Sequence, residues 1–312
     1  MEAKDVYIVS ACRTGIGAFK GQYSQISAIN LGSTVIKQCI ERAGVTPDDV
    51  SEVIMGQVLT AGQGQNPARL AARIAGIPVE APSYTINLLC GSGLKAVALG
   101  YQSVKSGDSD IVICGGQENM TMSEHSACIR NEIKFGNMQL KDTLLVDGLV
   151  DTLAGVHMGV TAEFVAQKYK VSREAQDKFA LQSQLKAATA ICQNYFTKEI
   201  VPVQQIKPPK LIVDDEFVKP ETTIEKLAQL NTPFEKDLSK SPSVTSGNAS
   251  GVNDGAAAVM LCSDVQLKLK KLKPLAKIVA FAQTGLEPME MGLGPVKAVE
   301  KVLKKSGWTK RM

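Results

Sequence analysis

Cys90 is the residue whose neighbours best suit it to act as a nucleophile. The stretch 83–89 before it is typical of a short strand, and apolar residues recur at helical spacing over 94–104. Cys90 therefore lies where a strand gives way to a helix, and the unpaired N–H groups and positive dipole end of a helix stabilise a thiolate. Gly91 and Gly93 leave room for a carbonyl to approach the backbone. This arrangement favours formation of a covalent thioester on the Cys90 sulfur.

A buried structural cysteine is the alternative role for Cys90, and it is the commoner role for any single cysteine. The order of a strand, then Cys-Gly-x-Gly, then a helix favours the nucleophile over that alternative. We therefore predict that Cys90 is the most reactive cysteine of the chain toward electrophiles.

The segment around Cys90 resembles the nucleophile segment of the thiolases. Other motifs of that family follow in the family's order, at 6–17, 62–69, 115–120, 157–159 and 246–256. The resemblance covers residues 5 to about 308 and is greatest to acetoacetyl-CoA-forming thiolases of the cytosolic animal type. It implies a thiolase-like layered αβαβα fold, with Cys90 as the catalytic residue.

The resemblance also implies a reaction and its partners. Thiolases of this type condense two acetyl-CoA molecules to acetoacetyl-CoA and CoA, reversibly, through an acyl-cysteine intermediate. Coenzyme A is then a substrate and product, no separate cofactor or metal is expected, and the family's usual assembly is a homotetramer.

A group of residues further along the chain resembles those that thiolases place against coenzyme A or its acyl group. They are Leu149, His157, Met158, Lys219, Phe234, Ser246, Ser250 and Met291. Without the family, a lone histidine would more often be a surface or hydrogen-bonded core group, and an isolated phenylalanine plain core. Turn chemistry alone could explain the Gly/Asn-rich loop that carries the two serines. Lys219 stands where some bacterial relatives carry an arginine.

The sequence departs from the thiolase pattern toward its C-terminus. It contains none of the family's Asn-Glu-Ala-Phe, Gly-His-Pro and Cys-Gly-Gly-Gly segments, and its two histidines are His125 and His157. We therefore expect a C-terminally shortened thiolase whose second half is incomplete. One alternative is a catalytically incomplete isoform that acts as a CoA-binding or interaction subunit. Another is a ketosynthase relative, whose sequence around the nucleophile usually differs from this one.

Composition favours a soluble cytoplasmic protein without a membrane or nucleic-acid partner. The 312 residues are 44% hydrophobic, but no apolar run approaches the ~18 residues of a membrane span, and no signal-like segment opens the chain. The seven cysteines are scattered without paired spacing, which favours reduced thiols. The net charge is +4, and the lysine-rich stretch 268–277 is more typical of a solvated helix end than of a nucleic-acid surface.

Alternation of apolar runs with helical patterns predicts an α/β protein with a largely parallel sheet. The predicted strands are 5–11, 53–60, 83–89, 110–115, 256–262 and 276–283, and the predicted helices are 28–43, 69–74, 94–106, 160–169, 173–195 and 295–304. Residues 1–118 plus 246–272 are expected to form an N-terminal α/β domain. Residues 119–245 are expected to form an inserted, substrate-covering loop domain, and 273–312 the start of a C-terminal domain.

Overall fold

The computed structural model describes residues 5–130, 135–234 and 242–310, which fall into two compact units. The first unit contains the described residues up to Leu144, with Thr197–Phe217 and Val252–Ile278. The second contains Leu145–Phe196, the described part of Val218–Gly251, and the described residues from Val279 onward. Two parts of the expected insertion, the described residues of 119–144 and residues 197–217, thus belong to the first unit.

A mixed sheet forms the centre of the first unit, and the other strands are short. In chain order the strands are β1 (Val6–Arg13), β2 (Gly17–Ala18), β3 (Glu52–Gly56), β4 (Ser83–Ile86), β5 (Ile111–Asn119), β6 (His125–Ser126), β7 (Lys141–Asp142), β8 (Val150–Asp151), β9 (Val156–His157), β10 (Val203–Gln205), β11 (Lys210–Ile212), β12 (Asn253–Ser263) and β13 (Ala276–Lys277). The sheet has the order β13-β1-β12-β5-β3-β4, and β2 pairs with β12. The α/β fold class predicted from the sequence is confirmed.

The strand β12 lies between β1 and β5 and runs antiparallel to both. Ser263 lies opposite Val6 of β1, and Cys262 lies opposite Ile111 of β5. The prediction that this strand returns to the first sheet is confirmed. The expectation of a largely parallel sheet is wrong for this part, although β3 does run parallel to β4 and β5. A strand that arrives after a long insertion is not bound by the direction that a βαβ crossover imposes.

Helices cover both faces of this sheet. In chain order the α-helices are α1 (Ala28–Ala43), α2 (Pro67–Ile74), α3 (Ser92–Ser106), α4 (Met158–Lys168), α5 (Arg173–Cys192), α6 (Ile224–Ala228), α7 (Asp264–Leu269) and α8 (Gly294–Ser306). The larger hydrophobic core joins α1 and α2 to one face, and a smaller one joins α3 to the other. Helices cover both faces of β3, and all of its residues are buried. Its almost wholly apolar sequence suits this position.

The helix α1 shows how local signals set the ends of an element. The Ser27 side chain accepts a hydrogen bond from the Asn30 N–H at the N-terminus, and Gly44 ends the helix in the left-handed conformation at φ 69°. Its buried side chains recur at helical spacing, among them Leu31, Val35 and Cys39. The predicted range 28–43 is confirmed for this reason.

The predicted strand at 276–283 is much shorter in the structure. Only Ala276 and Lys277 pair with β1, opposite Ile8 and Tyr7. Because β13 runs antiparallel to β1, its next residues pass the point where β1 begins at Val6. One further hydrogen bond, from the Ile278 N–H to the Val6 carbonyl at 3.0 Å, ends the pairing.

The second unit is built mainly from helices. The hairpin β8–β9 leads into α4, and a 3₁₀ helix at Pro288–Leu293 packs against α4. An ion pair between Lys168 and Glu290 joins these two helices. The chain then continues into α8, which ends at Gly307 with φ 71°. No helix among residues 5–130, 135–234 and 242–310 is long and apolar enough to cross a membrane.

Candidate functional site

Cys90 is exposed on a tight turn between β4 and α3, which confirms its predicted place between a strand and a helix. Leu89 before it has φ 45°, a conformation that bulky side chains rarely adopt. The Asn87 side chain holds this conformation by accepting a hydrogen bond from the Leu89 N–H at 2.9 Å. Backbone strain of this kind persists only where neighbouring contacts enforce it, and it is concentrated at functional sites.

The side chain of Ser92 fixes the other side of the turn. Its Oγ accepts from the Leu88 N–H at 2.8 Å and donates to the Leu89 carbonyl at 2.6 Å. The N–H groups of Gly91 and Ser92 donate to the carbonyls of Leu88 and Leu89 at 3.0 and 2.9 Å. These two N–H groups are therefore committed to the turn, and an oxyanion formed near Cys90 would need other donors.

Close contacts between glycines place the start of α3 against the sheet. A Cβ added to Gly56 of β3 would lie 2.6 Å from the backbone carbon of Ser92 and 2.8 Å from the Gly93 nitrogen. A Cβ added to Gly116 of β5 would lie no closer than 3.5 Å to any neighbour. Gly56 is thus the position at which the sheet needs glycine in order to seat the Cys90 turn.

This difference gives a matched pair of substitutions. We expect Gly56→Ala to lower the free energy of unfolding by about 1–3 kcal/mol, because the new methyl group overpacks against backbone. Gly116→Ala should change it by less than about 1 kcal/mol, since its methyl group has room. Urea unfolding measures both values, and the rate of Cys90 alkylation should fall in Gly56→Ala alone. Equal losses of unfolding free energy in the two variants would contradict a specific need for glycine at position 56.

A cavity of about 380 Å³ lies beside the start of α3 in the first unit. Its walls are mainly apolar and come from Leu94 and Val97 of α3 and from parts of β5 and β12. Arg13 and Glu199 also line it, and their side chains form an ion pair at 2.7 Å. Arg13 also binds Asp215 with two hydrogen bonds, at 2.7 and 2.9 Å, so that the 197–217 segment is held to β1.

The seven cysteines divide sharply by exposure. Cys90, Cys128 and Cys192 are exposed, and the buried ones are Cys12, Cys39, Cys114 and Cys262. Burial raises the pKa of Cys262 to about 11, and it also raises the pKa of Cys114. Competition with Cys90 for an electrophile is therefore limited to Cys128 and Cys192. No cluster of three or more potential metal ligands occurs among the described residues.

All other predicted site residues belong to the second unit, and His157 lies at the centre of its best-defined group. The His157 Nδ1 accepts a hydrogen bond from the Gly159 N–H at 3.0 Å and so caps α4. Its ring stacks on Phe234 with centroids 5.0 Å apart. A Cβ on Gly159 would collide with the Phe234 ring, so glycine is needed there. Met158 is half-buried as the first residue of α4.

Burial lowers the pKa of His157 below its ordinary value of 6.5, and Nδ1 can accept from Gly159 only when it is unprotonated. Below about pH 6.5 the unfolded chain therefore binds a proton at His157 more readily than the folded chain. The stability that this group contributes is present above that pH and declines as the pH falls. The unfolding temperature of the wild type should drop more between about pH 7.5 and 5.5 than that of His157→Asn. The matched control is His125→Asn, which changes an exposed residue of β6 and should keep the wild-type pH dependence.

Leu149 and Met291 lie on elements next to α4. Leu149 is half-buried and directly precedes β8, in which Val150 pairs with His157. Met291 is 41% exposed on the 3₁₀ helix that packs against α4. Lys219 is exposed in a loop, and its N–H donates to the Gln184 side chain of α5 at 2.9 Å. The structure thus brings Leu149, Met158, Phe234 and Met291 to elements around His157, whereas Lys219 is anchored to α5.

Ser246 and Ser250 are exposed on a loop that contains neither helix nor strand. Two carboxylates that the sequence did not single out hold this loop, Glu163 of α4 and Asp177 of α5. Asp177 is the buried residue of α5, and Glu163 is 1% exposed. A carboxylate at a core-facing helical position is the signal that could have identified them, because a buried charge needs hydrogen-bonding partners.

Family comparisons agree with the arrangement of the chain. The family model described as "Thiolase, N-terminal domain" matches residues 6–265, and the one described as "Thiolase, C-terminal domain" matches residues 272–312. The first match alone covers most of the chain and includes the whole strand-turn-helix unit around Cys90.

Individual relatives are similar over nearly the whole chain. An acetyl-CoA acetyltransferase of Chromobacterium violaceum is 53% identical over 309 residues, which is 98% of this chain and 78% of the relative. An acetyl-CoA acetyltransferase of Cupriavidus necator is 49% identical over 309 residues, again 98% of this chain and 78% of the relative. The cytosolic acetyl-CoA acetyltransferase of Rattus norvegicus is 48% identical over 306 residues, 97% of this chain and 77% of the relative. The chain belongs to the thiolase family, whose members are enzymes.

Proposed function

We propose that the chain is an acyltransferase of the thiolase type that accepts an acetyl group from acetyl-CoA on Cys90. The observation that carries the proposal is the exposed thiol of Cys90 on a strained turn at the start of a helix. The names of the relatives support acetyl-CoA as the acyl donor. The resemblance of the sequence to thiolases extends the proposal to the condensation of two acetyl-CoA molecules into acetoacetyl-CoA and CoA.

In the first step, the Cys90 thiolate attacks the thioester carbon of acetyl-CoA. A C–S bond forms to Cys90, and the bond from the carbonyl carbon to the sulfur of coenzyme A breaks. Coenzyme A leaves as a thiolate that takes up a proton, and the acetyl group remains on the protein as a thioester. The step divides a difficult transfer into two easier ones. The exposed position of Cys90 supports this step, because a nucleophile must be accessible to its substrate.

Coenzyme A would be held by residues of the second unit. His157 and Phe234 present a stacked pair of rings, and Ser246 and Ser250 present exposed hydroxyl groups on an anchored loop. Hydroxyl groups suit the amide groups of the pantetheine arm, since they donate and accept hydrogen bonds. Lys219 suits a phosphate because it carries a positive charge.

Condensation needs a second acetyl-CoA that loses a proton from its methyl group, and this requires a positioned base. The two histidines of the sequence are the cap of α4, His157, and an exposed residue of β6, His125. This observation favours a second candidate function, in which the 312-residue polypeptide binds coenzyme A and forms the acyl-cysteine without completing the condensation.

We also propose a location and an assembly for the protein. A cytoplasmic location is supported by the rat relative, which is named cytosolic. Assembly as a homotetramer is supported by the resemblance to the thiolases. Size-exclusion chromatography with light scattering tests the assembly.

The acyl-cysteine is the species that tests the proposed function. We expect incubation with acetyl-CoA to add one acetyl group to the protein, and peptide mass analysis to locate it on Cys90. Release of this group by excess CoA should regenerate acetyl-CoA, because a thioester on cysteine exchanges with a free thiol. Acetylation confined to Cys128, Cys192 or lysine side chains would contradict the proposal, since those positions report chemical acetylation of exposed groups.

A further inference from the structure

The loop at 242–252 combines exposed functional groups with a rigid attachment. It contains a turn at 246–248 and no helix or strand, so backbone ladder bonds do not fix it. Its exposed residues are Ser246, Ala249 and Ser250, while residues 243–245 before them are buried. A loop of this kind keeps its geometry only if side chains from neighbouring elements satisfy its backbone.

Glu163 of α4 supplies the first anchor. Its Oε1 accepts from the Ser243 N–H at 2.8 Å and from the Val244 N–H at 2.7 Å, and its Oε2 accepts from the Ser243 hydroxyl at 2.9 Å. Hydrogen bonds to an ionised carboxylate are stronger than neutral ones. Truncation of Glu163 would leave two N–H groups without their partner in a region that excludes water.

Asn248 supplies the second anchor, within the turn itself. Its Nδ2 donates to Asp177 of α5 and to the Ser243 carbonyl, both at 2.9 Å, and its Oδ1 accepts from the Thr245 N–H at 2.8 Å. Asp177 is held in turn by the Arg173 Nε at 2.8 Å. Two helices, α4 and α5, therefore fix the base of the turn through buried carboxylates.

Packing of the Gly247 backbone on neighbouring side chains further restricts the conformation of the turn. A Cβ on Gly247 would lie 2.5 Å from Leu230 and 2.6 Å from Leu227, so the backbone of the turn rests directly on these side chains. Leu227 belongs to α6 and is buried. The turn that carries the exposed Ser246 therefore packs on a fixed apolar base.

We propose that Glu163, together with Asn248 and Asp177, positions the 242–252 loop in advance for coenzyme A. The proposal rests on the proposed function, because it assigns these residues a role at the pantetheine-binding serines. None of them need touch the ligand: they are positioning residues. Without an anchor, the loop would have to become ordered when CoA binds, which costs conformational entropy. CoA would then bind more weakly, although no contact with the ligand is removed.

Calorimetric titration of the 312-residue protein with CoA tests the proposal. Glu163→Ala should raise the Kd about tenfold, the size expected when a few loop residues must be ordered on binding. Glu163→Gln should restore the Kd to within about twofold, since its carbonyl oxygen can accept both N–H groups and its amide can donate to the Ser243 hydroxyl. This rescue would show that the hydrogen bonds of residue 163, and not its negative charge, maintain the affinity.

The matched control is Glu52→Ala. Glu52 is also a buried carboxylate with hydroxyl partners, Ser103 and Ser109, but it lies on β3 in the first unit. This variant should be destabilised and yet bind CoA with the wild-type Kd. If Glu163→Ala does not fold, Asn248→Asp replaces it, because a carboxylate facing Asp177 breaks the second anchor and should also raise the Kd.

Three results would overturn the inference. Wild-type affinity in folded Glu163→Ala or in Asn248→Asp would show that the anchors are not needed, and would leave the proposed function intact. Equal weakening in Glu52→Ala would show a general effect of stability. Failure of the wild type itself to bind CoA would remove the proposed function and the positioning role together.

Discussion

Replacement of Cys90 with serine should slow acetyl transfer from acetyl-CoA to the protein by at least about 10³-fold. A serine hydroxyl remains protonated at neutral pH and needs an adjacent base, whereas a thiol yields a thiolate readily. The polar side chains of the turn are already committed: Asn87 accepts from the Leu89 N–H, and Ser92 bonds to Leu88 and Leu89. Neither can serve as a base. Time-resolved mass measurement of acetylated protein gives the rates.

The controls for this prediction are the other exposed cysteines. Cys128→Ser and Cys192→Ser should each keep the wild-type rate, and limiting iodoacetamide should label Cys90 before either of them. The Cys90→Ser variant should fold, because Cys90 is exposed and other residues hold its turn. A serine variant that becomes acetylated at a rate similar to the wild type would show that the acyl group is carried elsewhere.

The 312-residue polypeptide should cleave acetoacetyl-CoA in the presence of CoA at least about 10³-fold more slowly than a version that carries the thiolase acid/base segments. Its two histidines are committed to the α4 cap or exposed on β6, and four of its cysteines are buried. The thiolase pattern places both the activating histidine and the carbanion-forming cysteine in segments that these 312 residues do not contain.

A chimera supplies the comparison. The rest of the Chromobacterium violaceum relative, beyond the part that aligns with this chain, would follow the aligned residues. The chimera should cleave acetoacetyl-CoA rapidly, and Cys90→Ser in the chimera should abolish this cleavage. The result would show that the nucleophile is Cys90 and not a residue of the added segment. Comparable turnover by the 312-residue polypeptide and the chimera would show that acid/base groups are present in positions that the sequence does not reveal.

The elements that could be predicted from the sequence are those with signals inside the segment itself. α1 has a serine cap, a regular apolar stripe and a terminal glycine, and its bounds were predicted without error. The pairing of strands has no such local signal. Nothing between Asn253 and Ser263 specifies that β12 runs antiparallel between β1 and β5, because direction depends on the path of the long insertion before it.

The candidate site, too, could be predicted only where its signals are adjacent in the sequence. The place of Cys90 was predictable because the glycines, the strand and the helix are adjacent in sequence, but the strain at Leu89 was not, since leucine gives no sign of a positive φ. The stacking of His157 on Phe234 joins residues far apart in the chain. Glu163 was missed for a related reason: its partners, Ser243 and Val244, lie on a distant loop, so the sequence shows a charged helical residue and not an anchor.

The central position of β12 has a consequence for biosynthesis. β1 and β5 leave the ribosome early, but the strand that must lie between them is made only after the whole of 120–252. At typical translation speeds this delay is on the order of ten seconds. During that interval the facing edges of β1 and β5 have no partner strand, so the nascent chain presents two unpaired strand edges. β12 then joins two strands made long before it, and β13 is added at the outer edge of β1 afterwards. A chaperone that shields the facing edges of β1 and β5 would therefore act before β12 has emerged.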